Sequence, residues 1–134
     1  MKKETPRMPW LGWAVVAIAL LLGGWLAFDG LRALIIGDYV TPSSGRFAGQ
    51  LGPWSKLVEA VGIDPRSTLM KAIHVIVGAA WIEVAATYIF KLRGSRTALL
   101  LCAAATLWYL PFGTLLSLVV IALLFAPALR TWPA

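Results

Sequence analysis

Residues 10–28 read WLGWAVVAIALLLGGWLAF, nineteen consecutive positions without a charge. At 1.5 Å per residue, a helix of that length measures about 28 Å, close to the hydrocarbon thickness of a bilayer. A cleaved leader is the competing reading, because Lys2, Lys3 and Arg7 precede the run. The apolar part is long for a leader, however, and the nearby A-x-A, Ala17-Ile18-Ala19, lies inside it rather than after it. The stretch is read as a first transmembrane span, 10–29.

The rest of the chain has the same character. It has 134 residues, the size of one domain, with 60% apolar and 13% charged residues and a mean hydropathy of +0.80. Soluble domains carry roughly a quarter charged residues, so this composition leaves too little polar surface for a dissolved state. Seven Trp suit membrane interfaces, where an amphipathic ring sits half wet. The net charge of +6 does not indicate nucleic acid, since no basic run exceeds Lys2-Lys3 and no aromatics alternate with basic residues. A single cysteine, Cys102, excludes an internal disulfide and a multi-cysteine metal site, and reads as a small hydrophobe.

Residues 30–64 form the one long polar region, read as an outer loop dense in turn formers from Gly37 to Gly45. After Pro53, the residues Trp54, Leu57, Val58 and Val61 recur at helical spacing, predicting a short amphipathic helix that lies on the membrane or caps the bundle. Lys56 and Glu59 face away from it and are placed to pair. Asp64-Pro65 is read as the cap and first position of a second span, 65–90. The apolar run 97–129 would measure about 50 Å as one helix, too long for a bilayer. Pro111-Phe112-Gly113 divides it into two short spans, 97–111 and 113–129, with a partly inserted hairpin as the alternative.

The expected fold is an all-α, single-domain integral membrane bundle, 1–134, of about four transmembrane helices plus a short interfacial helix. In size and span count it is similar to several small four-helix bacterial membrane families, DoxX-like proteins among them. Basic residues favour both termini on the cytoplasmic side of a bacterial cytoplasmic membrane. Lys2, Lys3, Arg7, Lys91, Arg93, Arg96 and Arg130 then lie inside, and Arg32, Arg46, Lys56, Arg66 and Lys71 outside.

Small residues come first among the candidate sites. Ala19, Gly23 and Ala27 repeat every fourth position, a seam that lets helix backbones approach closely in lipid, and Gly78 and Ala85 give a looser version interrupted by Ile82. Glu83 lies about 12 Å inward from Lys91, near the bilayer centre, where a carboxylate costs at least about 2.5 kcal/mol. It must therefore face protein or water and is expected to be protonated or paired. Thr87 shares its face, and Thr106 of the third span reaches similar depth as a possible donor. A proton or cation site and a partner contact are the functional readings for these three residues, and a neutral packing acid is the structural one.

His74 falls nine residues before Glu83, on the opposite helix face. With Gly78 four residues on, it could make room for a flat macrocycle, so haem or pigment ligation is conceivable. A hydrogen-bonded interfacial histidine is the simpler account, and no cofactor is predicted. Asp29 and Arg32 are expected to pair at headgroup level, with Lys71 snorkelling outward. No catalytic constellation, phosphate loop or zinc spacing is present. The expected role is a non-catalytic accessory, assembly or scaffold subunit whose partners are the bilayer and other membrane subunits or its own copies, not nucleic acid. The alternatives are a small transporter or proton-coupled channel using Glu83 and, more distantly, a haem, quinone or pigment subunit using His74.

Overall fold

A computed structural model describes residues 4–133, and these are all-helical with no strand. Lys2 and Lys3, which entered the charge count, lie outside the described residues. The elements are α1 (Trp10–Ile36), α2 (Trp54–Ala60), α3 (Thr68–Ile89), α4 (Ser95–Ala105), α5 (Phe112–Leu124) and a closing 3-10 turn, Pro127–Leu129. Two of them, α1 and α3, are long and apolar enough to cross a membrane.

The first helix runs two turns beyond the expected end at residue 29. Asp29 does not stop it, because the carboxylate is taken up by the chain that folds back, and the helix ends only at Gly37 in the left-handed region (φ 111°). The polar segment between the long helices is thus 37–67 rather than 30–64. The α3 start is also corrected. Asp64 closes a turn, with its carboxylate accepting from Arg66 N–H at 2.9 Å, and the N-cap is Ser67, whose hydroxyl accepts from Met70 N–H at 3.2 Å.

In the 97–129 run, the break comes earlier than Pro111-Phe112-Gly113. Thr106 ends α4, residues 106–110 make the connection, and Pro111 precedes α5. The two helices have 11 and 13 residues, or about 16 and 20 Å. Each is shorter than a full span.

Helix α1 packs on α3 and α5, and α4 packs on α3 and α5. The tightest crossing is between α1 and α3. A Cβ placed on Gly23 would stand 2.6 Å from Trp81 Cβ and 2.8 Å from the Gly78 carbonyl, and one on Gly78 would stand 2.6 Å from the Gly23 carbonyl. Two helical turns further along α1, Gly30 meets His74 Cβ at 2.8 Å in the same sense. The seam beginning at Ala19, Gly23 and Ala27 is therefore a backbone-to-backbone contact with Gly78 that continues to Gly30. Ala19 and Ala85 are fully buried, while Ile82 turns aside and is 40% exposed.

The helices define two ends. At one, the Lys91 ammonium donates to the Pro6 carbonyl at 2.7 Å and sits 4.9 Å above the Trp132 ring, and Arg96 donates to the Leu124 carbonyl at 2.6 Å. At the other, the 37–67 segment folds over the 106–111 connection, where Trp54 meets Trp108 and Tyr109.

Replacing Gly78 with Ala should destabilise the protein by about 1–3 kcal/mol, because the new methyl group meets fixed backbone. Gly24→Ala, where nothing lies within 4 Å, should be neutral or stabilising by up to about 1 kcal/mol. Thermal melts of the two variants in the same detergent test the difference. Equal midpoints would mean that the helices do not cross at Gly78.

Candidate functional site

The most elaborated region is where the 37–67 segment meets the helix ends. Its anchor is α2, which begins at Trp54 because Pro53 suits the first turn. Trp54 and Val58 are 5% and 6% exposed, whereas Leu57 and Val61 are 41% and 70% exposed. The four residues thus do not form one buried face, and α2 caps the helices with Trp54 and Val58 alone. Lys56 and Glu59 lie 3.8 Å apart on its outer side.

Around Trp54 stands an aromatic cluster centred on His74. Ring centroids of Trp54, Tyr39, Trp108 and Tyr109 lie 4.7, 4.8, 5.4 and 5.6 Å from the imidazole. His74 is fully buried, and its Nδ1 lies 2.8 Å from the Met70 carbonyl. A carbonyl only accepts, so the proton sits on Nδ1 and Nε2 is left as an acceptor with no partner among the described residues. The room that Gly78 was expected to leave for a macrocycle is filled by α1. Haem or pigment ligation by His74 therefore has no space on this helix face, and Trp54 and Tyr39 close the ring from the other side.

Beside the cluster is a cavity of about 150 Å³ whose walls include Trp25, Asp29, Tyr39, Trp54, Tyr109 and Phe112. Trp25 Nε1 donates to the Tyr109 hydroxyl at 3.0 Å. The Tyr39 hydroxyl donates to the Pro65 carbonyl at 2.9 Å, tying the 37–67 segment to the start of α3. Asp29 is 4% exposed, and its Oδ1 accepts from Val40 N–H at 2.6 Å. It forms no ion pair with Arg32, contrary to expectation. The Arg32 guanidinium donates to the Asp38 carbonyl at 2.7 Å, and Lys71, expected to snorkel outward, donates to the Gly37 carbonyl at 2.9 Å. Both cations serve the backbone where α1 ends.

Glu83, Thr87 and Thr106 are not brought together. Thr106 is fully buried, accepts from Trp81 Nε1 at 2.9 Å and donates to the Cys102 carbonyl at 2.7 Å. Thr87 donates to the Val84 carbonyl at 2.8 Å. Glu83 is exposed on the far side of α3 from Trp81, without a hydrogen bond or ion pair among the described residues. With it on that side are Ile76, Ala79, Ala86 and Phe90, a straight stripe in which two alanines flank the carboxyl. Among the described residues no three His, Cys, Asp or Glu side chains gather as a metal site.

Sequence reasoning missed the cavity. The available signal was the pair Trp25 and Asp29, four apart on one helix face. The other walls come from residues 39–112 and meet only through the fold. The chain matches no family model, no curated protein and no solved structure.

The segment is pinned from outside by Asp38, whose carboxylate accepts from Arg66 Nε at 3.1 Å. Partial burial pushes this carboxyl up. Hydrogen bonds from Arg66 and the Tyr39 N–H, with the charges of Arg66 and Lys71, outweigh that and hold it below the ordinary value of 3.8. A depressed carboxyl stabilises the fold above its unfolded value and loses that contribution as pH falls through the folded one. Proteolysis of the 37–67 segment should therefore be slow at neutral pH and accelerate as the pH falls below about 4. In Asp38→Asn it should be faster at neutral pH and lose this acid dependence.

Proposed function

We propose that the chain is a four-span helical protein of the bacterial cytoplasmic membrane, with both termini inside. It acts there as a non-catalytic accessory or assembly subunit that recruits a partner helix along the outer face of α3. Membrane insertion is supported by α1, which is apolar on both sides. Val15, Leu22 and Leu26 face inward, while Leu20, Leu21 and Phe28 are 45–58% exposed. A soluble protein leaves no such helix uncovered. For the second pair, α4 leaves the end that holds Lys91, and its continuation brings Trp108 and Tyr109 to Trp54 at the opposite end. That favours a full crossing over a shallow hairpin, despite the short helices. The orientation is supported by Arg7, Lys91, Arg93, Arg96 and Arg130, which belong to the end where the described terminal segments and the short 90–94 turn meet.

The single observation behind the recruiting role is Glu83 itself. A carboxyl on the outside of a membrane helix, about 9 Å from the helix end at Ile89 and flanked by Ala79 and Ala86, faces lipid unless another chain covers it. Small neighbours let a second helix come close enough to offer a hydrogen-bond or charge partner. Within one chain, Glu83 borders no internal path, so a proton pathway would need several copies.

Two measurements test the reading. In a Cys102→Ala background, cysteine at Ser44 should react with an impermeant reagent added to intact cells, and cysteine at Arg93 only after permeabilisation. The reverse pattern would overturn the orientation. Glu83→Gln should leave the thermal midpoint unchanged while weakening co-purification of the partner, or self-association, by about tenfold or more. Loss of pH-dependent proton flux with assembly intact would favour transport instead, and no change in any assay would remove Glu83 from the account.

A further inference from the structure

The cavity beside His74 holds a buried carboxyl group that forms no ion pair among the described residues. Asp29 is 4% exposed and only its Oδ1 is engaged, by one backbone N–H. Arg32, the nearest cation in sequence, and Lys71 are committed to the Asp38 and Gly37 carbonyls. Burying a carboxylate without a counter-charge is costly, so a site that keeps one suits a positively charged occupant.

The rest of the wall points to the kind of cation. Tyr39, Trp54 and Tyr109 pack against one another, with Trp54 5.4 Å from Tyr39 and 5.9 Å from Tyr109, and together line the cavity, whose aromatic wall Trp25 and Phe112 extend. Aromatic faces attract cations, alkylammonium groups among them. A cavity of about 150 Å³ accommodates a group of about six heavy atoms, the size of an ammonium with its carbon substituents. The Tyr109 hydroxyl accepts from Trp25 Nε1, which leaves its own proton free for an oxygen on the ligand. Two of the walls, Trp25 and Phe112, also border an apolar groove with Leu21 on the outer surface between α1 and α5. The polar pocket and the apolar groove are therefore adjacent, sharing Trp25 and Phe112 as walls.

We infer that this cavity binds the alkylammonium head of an amphiphile, with Asp29 and the rings of Tyr39, Trp54 and Tyr109 around the charge and the chain lying in the Leu21–Trp25–Phe112 groove. The site lies at the end of the bundle away from Lys91 and shares no residue with the Glu83 face, so either conclusion can fail without the other.

The test uses the full-length protein in maltoside micelles, read by its thermal midpoint. Phosphatidylethanolamine should raise the midpoint by several degrees. Its N-acetylated derivative, which keeps the chains and loses the positive charge, should not, and neither should phosphatidylglycerol. Soluble ethanolamine should act only at concentrations at least about tenfold higher, because it lacks the chain in the groove. Asp29→Asn keeps an acceptor for Val40 N–H and should weaken the lipid effect at least about tenfold. Trp25→Leu, a change at a half-exposed position that keeps the groove apolar, should weaken it as well and serves if the Asp29 variant does not fold. Equal stabilisation by the charged and acetylated lipids would overturn the inference, as would an undiminished effect in both variants. If soluble ethanolamine matched the lipid, the amphiphile would be overturned as the source of the ammonium group.

Discussion

The structure depends on the contact between two backbones at Gly23 and Gly78. In lipid, apolar side chains gain nothing by leaving one hydrocarbon surface for another, so helices associate through close packing and polar contacts. Here the packing is as close as the chain permits, since a single added methyl group on either glycine would collide with the opposite helix. The contact continues to Gly30, which rests on His74 and the Lys71 carbonyl. It brings the end of α1 against the start of α3. Trp25 and Asp29, on the same stretch of α1, are thereby held beside the cavity under the polar segment.

That segment is then tied down by polar groups whose roles are local. Arg32 and Lys71 bind carbonyls where α1 ends, Tyr39 reaches Pro65, and Arg66 holds Asp38. Trp54 fills the space among these ties, packed against His74, Tyr39, Trp108 and Tyr109. The segment contains only two turns of helix, and these ties hold its two ends while residues 42–50 between them stay exposed.

Much of this was legible in the residues and some was not, for identifiable reasons. The all-helical class and the seam at Gly23 follow from composition and four-residue spacing, which are properties of one helix at a time. The end of α1 was misjudged because the charge-free run stops at Asp29, when one oxygen of that carboxylate is in fact taken up by Val40 N–H, eleven residues on. Thr106 was matched with Glu83 by depth alone, and depth says nothing of facing, so its partner is Trp81. The face of Glu83 was computable from its spacing to Trp81, but which face of α3 turns inward depends on where Gly78 meets α1. The cavity required four separate parts of the chain to converge, and no periodicity within one helix encodes that.

The placement of Lys91 has a consequence for rebuilding the molecule. Its ammonium touches Pro6 and its chain lies over Trp132, so the described beginning and end of the chain are within one lysine's reach of each other. A short linker between those segments would close the backbone into a circle without crossing the helices. New ends could then be opened in the exposed stretch around Ser43–Gly45, giving a circular permutant whose termini emerge at the opposite end of the helices.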